Sequence, residues 1–274
     1  MWATYWSTME EAGQRRLVIV LAGIALVTTF FFNRAVGFGK TADGIDVIYI
    51  GRDLTPNTNR GPFVLAVPMV LGQVMSLAGT IWFLLTLLTA SVFLVETLER
   101  GWIELIFAKS ARRWHILTGR FLSGATLFFL MTFVATAPIA ARLWWKTGVP
   151  TWQFVVAGLI ETIGFASVLS VAALAALPQK GVALPILSAF GVWSLSPLLM
   201  NREVIYGEYI KSEFLHQVLD WVYYIMPKCS EIDTIAIGFL QNSAVQTSWP
   251  IWTTGLFTLS CLVLTLWLLE RKSF

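Results

Sequence analysis

The chain has 274 residues, of which 57% are hydrophobic and only 13% charged, with a mean hydropathy of +0.71. A soluble domain carries about 45–50% apolar and about 25% charged residues, so the composition excludes an ordinary water-soluble fold and points to an integral membrane protein. The formal net charge of +3 is scattered along the chain rather than gathered into a basic stripe, which excludes nucleic acid as the partner.

The two cysteines, Cys229 and Cys261, are read in a loop and in an apolar stretch, so they build neither a disulfide framework nor a zinc site. No small-residue cleavage site follows the first apolar run, and no cleaved signal peptide is expected.

In residues 1–16, Trp2, Trp6 and Met9 recur at the spacing of one helix face, with Glu10, Glu11, Arg15 and Arg16 elsewhere on the turn. This predicts an interfacial helix. The first span is expected at 17–32, because about 20 apolar helical residues cross a bilayer with the backbone satisfied internally. The connection 33–62 contains Gly39, Lys40 and Thr41, which end like a phosphate-binding loop. The glycine such a loop needs five positions earlier is Arg34, and a flexible exit from the span is the better reading.

The second span is expected at 63–95. It is longer than one straight crossing requires, so it must tilt, break near Pro68, Gly72 or Gly79, or project beyond the bilayer. Gly72, Ser76 and Thr80, four apart, are candidate helix-packing residues that allow close approach between subunits. The connection 96–120 is amphipathic, too charged to span, and long for a link between helices. Ser110 can cap a second short helix starting at Arg112 and Arg113, which gives two helical pieces meeting at Lys109 and Ser110.

Further spans are expected at 121–141, 151–177, 182–200 and 248–269. Glu161 is the only formal charge inside any of them. A carboxylate there either faces a bundle interior or water-filled path, as a functional acid, or is a structural acid that stays protonated or hydrogen-bonded to a neighbouring helix. The link 178–181 is a tight turn or a second, smaller cytoplasmic contact. The connection 201–247 mixes charges with apolar residues over 204–224, as an amphipathic surface helix does, and 235–240 is placed at the interface outside the core. Within it His216 and Asp220 are spaced to share a helix face as a base and its orienting carboxylate, although the surface helix is the stronger reading.

The fold expected is therefore all-α and polytopic: one membrane domain with an N-terminal interfacial helix, six spans and an amphipathic outer segment before the last. Lys and Arg are denser in 1–16, 96–120, 178–181 and 270–274 than in 33–62, 142–150 and 201–247, which places both termini in the cytoplasm.

Residues 96–120 also carry a family pattern: Glu99, Gly101, Glu104, an apolar run at 105–107, Arg112 and Arg113, then Gly119 and Arg120 entering the third span. In this the chain resembles the membrane permease subunits of ATP-binding-cassette exporters of the type 2 class. It departs at Ser110, where many relatives have proline, and at Trp102, where threonine is common. The span plan and the stretch 221–227, with Tyr223, Tyr224 and Pro227, extend the likeness over essentially the full length.

The resemblance implies a translocation path formed with a second permease copy or a related one. It implies two copies of a soluble ATPase that carry ATP and Mg, no cofactor and no catalysis in this chain, and a bacterial inner membrane location among lipid. It implies a coupling helix within 99–116. Glu99, Gly101, Trp102, Glu104, Phe107, Arg112, Arg113 and Trp114 are the expected ATPase contacts, with apolar anchors between charges that fix register. The second and fifth spans would wall the path. A membrane scaffold without transport, or a membrane-embedded enzyme using His216, Asp220 or Glu161, are the alternatives. No residue chooses among lipid, glycan, drug, peptide or assembly-factor substrates.

Overall fold

The computed structural model describes residues 5–6, 10, 16–40, 46–50, 53–54, 63–97, 113–178, 181–208, 212–241 and 247–271. The chain is a predominantly helical polytopic membrane protein, and among the described residues five helices are long and apolar enough to cross a bilayer.

Helix α1 (Arg16–Ala35) covers the first of the six expected spans but is not one of those five, and it leads into a small antiparallel sheet of β1 (Val36–Lys40), β2 (Asp46–Ile50) and β3 (Asp53–Leu54). The register pairs Val36 with Ile50 and Lys40 with Asp46. Among the described residues this sheet is the one departure from an all-α plan. It puts Gly39 and Lys40 at the end of a strand, not at a helix N-terminus, so the phosphate-loop likeness has no structural counterpart. Val36 is buried against Val67, Val70 and Leu143, which ties the sheet to the bundle.

Helix α2 (Phe63–Thr97) runs unbroken for 35 residues. Pro68 lies in its second turn, and the helix continues through it. At 1.5 Å per residue α2 is about 52 Å long, well beyond ~30 Å of hydrocarbon, so it projects or tilts rather than breaks. Helix α3 (Arg113–Thr147) also has 35 residues. Residues 113–120 are thus the first turns of the third span and not a separate short helix: Ile116, Leu117 and Phe121 are buried and carry the apolar face across Arg120. Residues 142–147, expected in a connection, extend the other end. The stop comes at Gly148, whose φ of +69° is open to a glycine, and whose N–H donates to the Trp144 carbonyl at 2.8 Å in the left-handed C-cap arrangement.

Helix α4 (Gln153–Ala175) is the central post, buried along much of its length and touching α2, α3, α5 (Ala183–Met200) and the later helices at Cys229–Leu240 and Trp249–Arg271. An aromatic cluster locks three helices together. Phe128 stacks on Phe165 with centroids 4.4 Å apart, and Phe83 meets Phe165 edge-on at 5.3 Å.

The stretch 201–247 is not one surface segment. It holds α6 (Arg202–Glu208), α7 (Glu213–Ile225) and α8 (Cys229–Leu240), and α9 (Trp249–Arg271) follows as the last span. Helix α7 buries nothing and exposes Phe214, Val218, Trp221 and Ile225 as one stripe, the form of a helix lying on a membrane surface. Helix α8 differs. Ile232, Ala236 and Leu240 recur at i, i+4 and i+8, are buried, and pack α8 against α4 and α2, so 235–240 belongs to the core. Gly72 makes this possible, because a Cβ there would meet Ile237 Cγ2 at 3.3 Å. Gly72 therefore serves close approach within the chain, while Ser76 and Thr80 stay exposed.

Candidate functional site: an acidic crevice at the ends of the shorter spans

Three contacts set the level of α8 in the bundle. The Cys229 thiol reaches the Gly164 carbonyl of α4 at 3.8 Å. The Ser230 N–H donates to Ser196 Oγ in the last turns of α5 at 2.9 Å, and the Lys228 N–H donates to Thr254 Oγ1 in the second turn of α9 at 3.0 Å. Helix α8 starts near the Met200 end of α5 and the Trp249 end of α9 and packs along α2 and α4. Glu161, nearly one turn from Gly164 in that direction, is thus level with the ends of α5 and α9 rather than with their middles.

Glu161 is 7% exposed, and its Oε2 has no hydrogen-bond partner among the described residues. The carboxylate points at Gly79 of α2, whose missing Cβ would lie 3.5 Å from Oε2. It lines a crevice that offers about 20 Å³ to a water-sized group, shared with Ser76, Thr80, Phe83, Trp193 and Asp233. Asp233, from α8, brings a second carboxylate to the same space. Its exposed side chain stands at the outer side of the crevice and that of Glu161 in the interior. Phe83 and Trp193 stack with centroids 5.4 Å apart and form an aromatic wall. The exposed Thr80 hydroxyl donates to the Ser76 carbonyl at 3.0 Å.

A wider groove of about 500 Å³ adjoins the crevice, lined by Gly72, Gln73, Ser76, Leu77, Ile237 and Gln241. One face of α2 is thus lined by Gln73, Ser76 and Thr80 and open on its outer side. Sequence reasoning finds Glu161, because a charge in an apolar run is conspicuous. It misses Asp233, which has no local signal and gains its role only when α8 folds onto α4.

The other candidate residues are placed as follows. His216 and Asp220 do not form a base and its orienter. Asp220 accepts from Arg202 Nε at 3.0 Å and from the Tyr206 hydroxyl at 2.9 Å, while the His216 ring packs on Tyr206. Glu99, Gly101, Trp102, Glu104, Phe107 and Arg112 lie outside the described residues, as does Ser110. Arg113 begins α3, and Trp114 in the same turn is exposed and packs its ring on His115, with centroids 3.8 Å apart.

A second polar group surrounds Tyr223. Arg202 sits over its ring at 3.7 Å and the Lys228 ammonium at 4.5 Å. Its hydroxyl donates to Glu231 Oε1 at 2.6 Å. Burial, then the Glu231 hydrogen bond, pushes the phenol up to about 12, and burial pulls the Lys228 ammonium below its ordinary value. A phenol raised in the folded state contributes stability below its ordinary value near 10, and that contribution is lost as pH rises through the folded value. An alkaline titration of phenolate absorbance is expected to lose its last step, near pH 12, in Tyr223→Phe. Loss of a step near pH 10 instead would show that the burial and the Glu231 contact are absent in solution.

No protein-family model and no curated protein matches this chain.

Proposed function

We propose that the chain is the transmembrane permease subunit of an ATP-binding-cassette exporter of the type 2 class. It works as a pair of permeases in a cell inner membrane with both termini cytoplasmic, coupled to a separate ATPase that carries ATP and Mg. The observation that carries this reading is the pattern of Glu99, Gly101, Glu104, Arg112 and Arg113 between the second and third spans. Two features support it further. The segment runs directly into α3, so a push on 99–116 would move a 35-residue helix as one rod. The open face of α2, with Gln73, Ser76 and Thr80 beside Glu161, suits a helix that borders a path.

The test is purification of the tagged chain from its own host in mild detergent. An ATPase subunit is expected to come with it. Glu104→Ala and Arg113→Glu are each expected to lower transport-coupled ATP hydrolysis by about fivefold or more, since each removes a charge that fixes docking register. Absence of any ATPase, even after cross-linking, would put a scaffolding role first and remove the coupling assignment.

A further inference from the structure

We propose that the crevice between α2, α4 and α8 binds a primary ammonium group, and that the cargo or regulator of this protein is an amine that presents one at the membrane surface.

A buried carboxylate without a partner is costly, and a second carboxylate facing the same space makes joint ionisation worse. A cation between them removes both penalties. Glu161 supplies the built part of the site: its side chain is more than nine-tenths buried and its Oε2 is unpartnered among the described residues and aimed into the crevice. Asp233 supplies the second charge at the mouth.

The walls choose the kind of cation. Phe83 and Trp193 line the crevice beside the two carboxylates, an apolar wall that suits an organic ammonium better than a hydrated metal ion. A metal ion wants a shell of oxygens instead, and among the described residues no three His, Cys, Asp or Glu side chains come together to hold one. Size narrows it further. The crevice is narrow, about 20 Å³, which favours the smallest ammonium group over a trimethylammonium. The site lies level with the ends of α5 and α9, where headgroups and the amines of amphiphiles reside, and the adjoining apolar groove gives an alkyl chain somewhere to lie.

That the ammonium compound is cargo rests on the permease reading; its binding does not. The test is equilibrium binding of radiolabelled octylamine to the purified full chain in nanodiscs, with propylamine, octanol, octyltrimethylammonium and NaCl as competitors and no ATPase present. Octylamine is expected to bind saturably. Octanol and octyltrimethylammonium should compete at least about tenfold more weakly than unlabelled octylamine, and Glu161→Gln should weaken binding about tenfold or more. Trp193→Leu and Asp233→Asn should each weaken it severalfold, so the proposal stays testable if Glu161→Gln fails to fold. Propylamine competing as well as octylamine would assign a soluble amine as the source, and weaker propylamine an amphiphile or lipid headgroup; both support the ammonium site. Octanol equal to octylamine, full displacement by millimolar NaCl, or unchanged binding in folded Glu161→Gln would each overturn it. Loss of amine binding in a chain that still co-purifies with an ATPase defeats this inference alone, whereas amine binding without any ATPase defeats only the permease reading.

Discussion

Glu161→Leu is expected to raise the stability of the purified protein by about 1–3 kcal/mol while abolishing the transport proposed for it, and Glu161→Gln to leave stability near wild type with that proposed transport also lost. The opposite signs follow from one fact. The carboxylate is buried, Oε2 has no hydrogen bond among the described residues, and Asp233 faces the same crevice. Replacing this buried side chain, whose Oε2 makes no hydrogen bond among the described residues, by an apolar group of similar volume removes the cost of burying an unpaired polar group. Thermal unfolding of each variant in one detergent, beside vesicle transport, separates the two effects. If Glu161→Leu instead unfolds at lower temperature, the acid has a partner that supports the fold, and its role is structural.

This contrast also explains why the rest of the site is arranged as it is. The missing side chain of Gly79 lets α2 lie against the Glu161 carboxylate, and Thr80 follows on the same helix. Phe83 and Trp193 line the same crevice.

Much of the bundle was legible because a membrane makes length and charge decisive. The apolar runs that place α2, α4, α5 and α9 are long, nearly charge-free and bounded by polar residues. The ends of α3 were not legible, for a specific reason. Arg120 looks like a boundary, yet Ile116, Leu117 and Phe121 on either side of it share a buried face, so burial overrides the single charge. Helix α8 carried a helical signal in Ile232, Ala236 and Leu240, but twelve residues are too few to span and polar residues follow at once, so its burial depended on Gly72 opening a place on α2. The sheet had its own signal in the Val47 to Ile50 run of strand-forming residues. Glu161 stood out from the sequence alone; Asp233 could not, because its partner is 72 positions away and only the fold brings them to one crevice. His216 and Asp220 show the reverse case, correct spacing on one helix defeated by Arg202 and Tyr206 arriving from another.

The tightest helix crossing gives the second large effect. A Cβ added at Gly124 of α3 would lie 2.8 Å from Leu169 Cδ2 of α4 and 3.3 Å from the Ala90 Cβ of α2. Leu169 and Ala90 are both buried within the main core cluster, so neither has open space to move into. Gly124→Ala is expected to destabilise by about 1–3 kcal/mol, and Gly124→Val to prevent accumulation of folded protein, because close-packed interiors resist added volume. Gly191→Ala on α5 is the matched control. A Cβ there meets nothing within 4 Å, and alanine is the better helix former by up to ~1 kcal/mol, so the variant should be neutral or slightly stabilised. Thermal unfolding of the three variants decides between the alternatives. Wild-type stability in Gly124→Ala would mean that the three helices are packed less closely than these distances require. Destabilisation by Gly191→Ala would mean that the open face of α5, with Leu187, Phe190 and Leu198 exposed beside it, is closed in the assembled protein by another chain, as a paired permease demands.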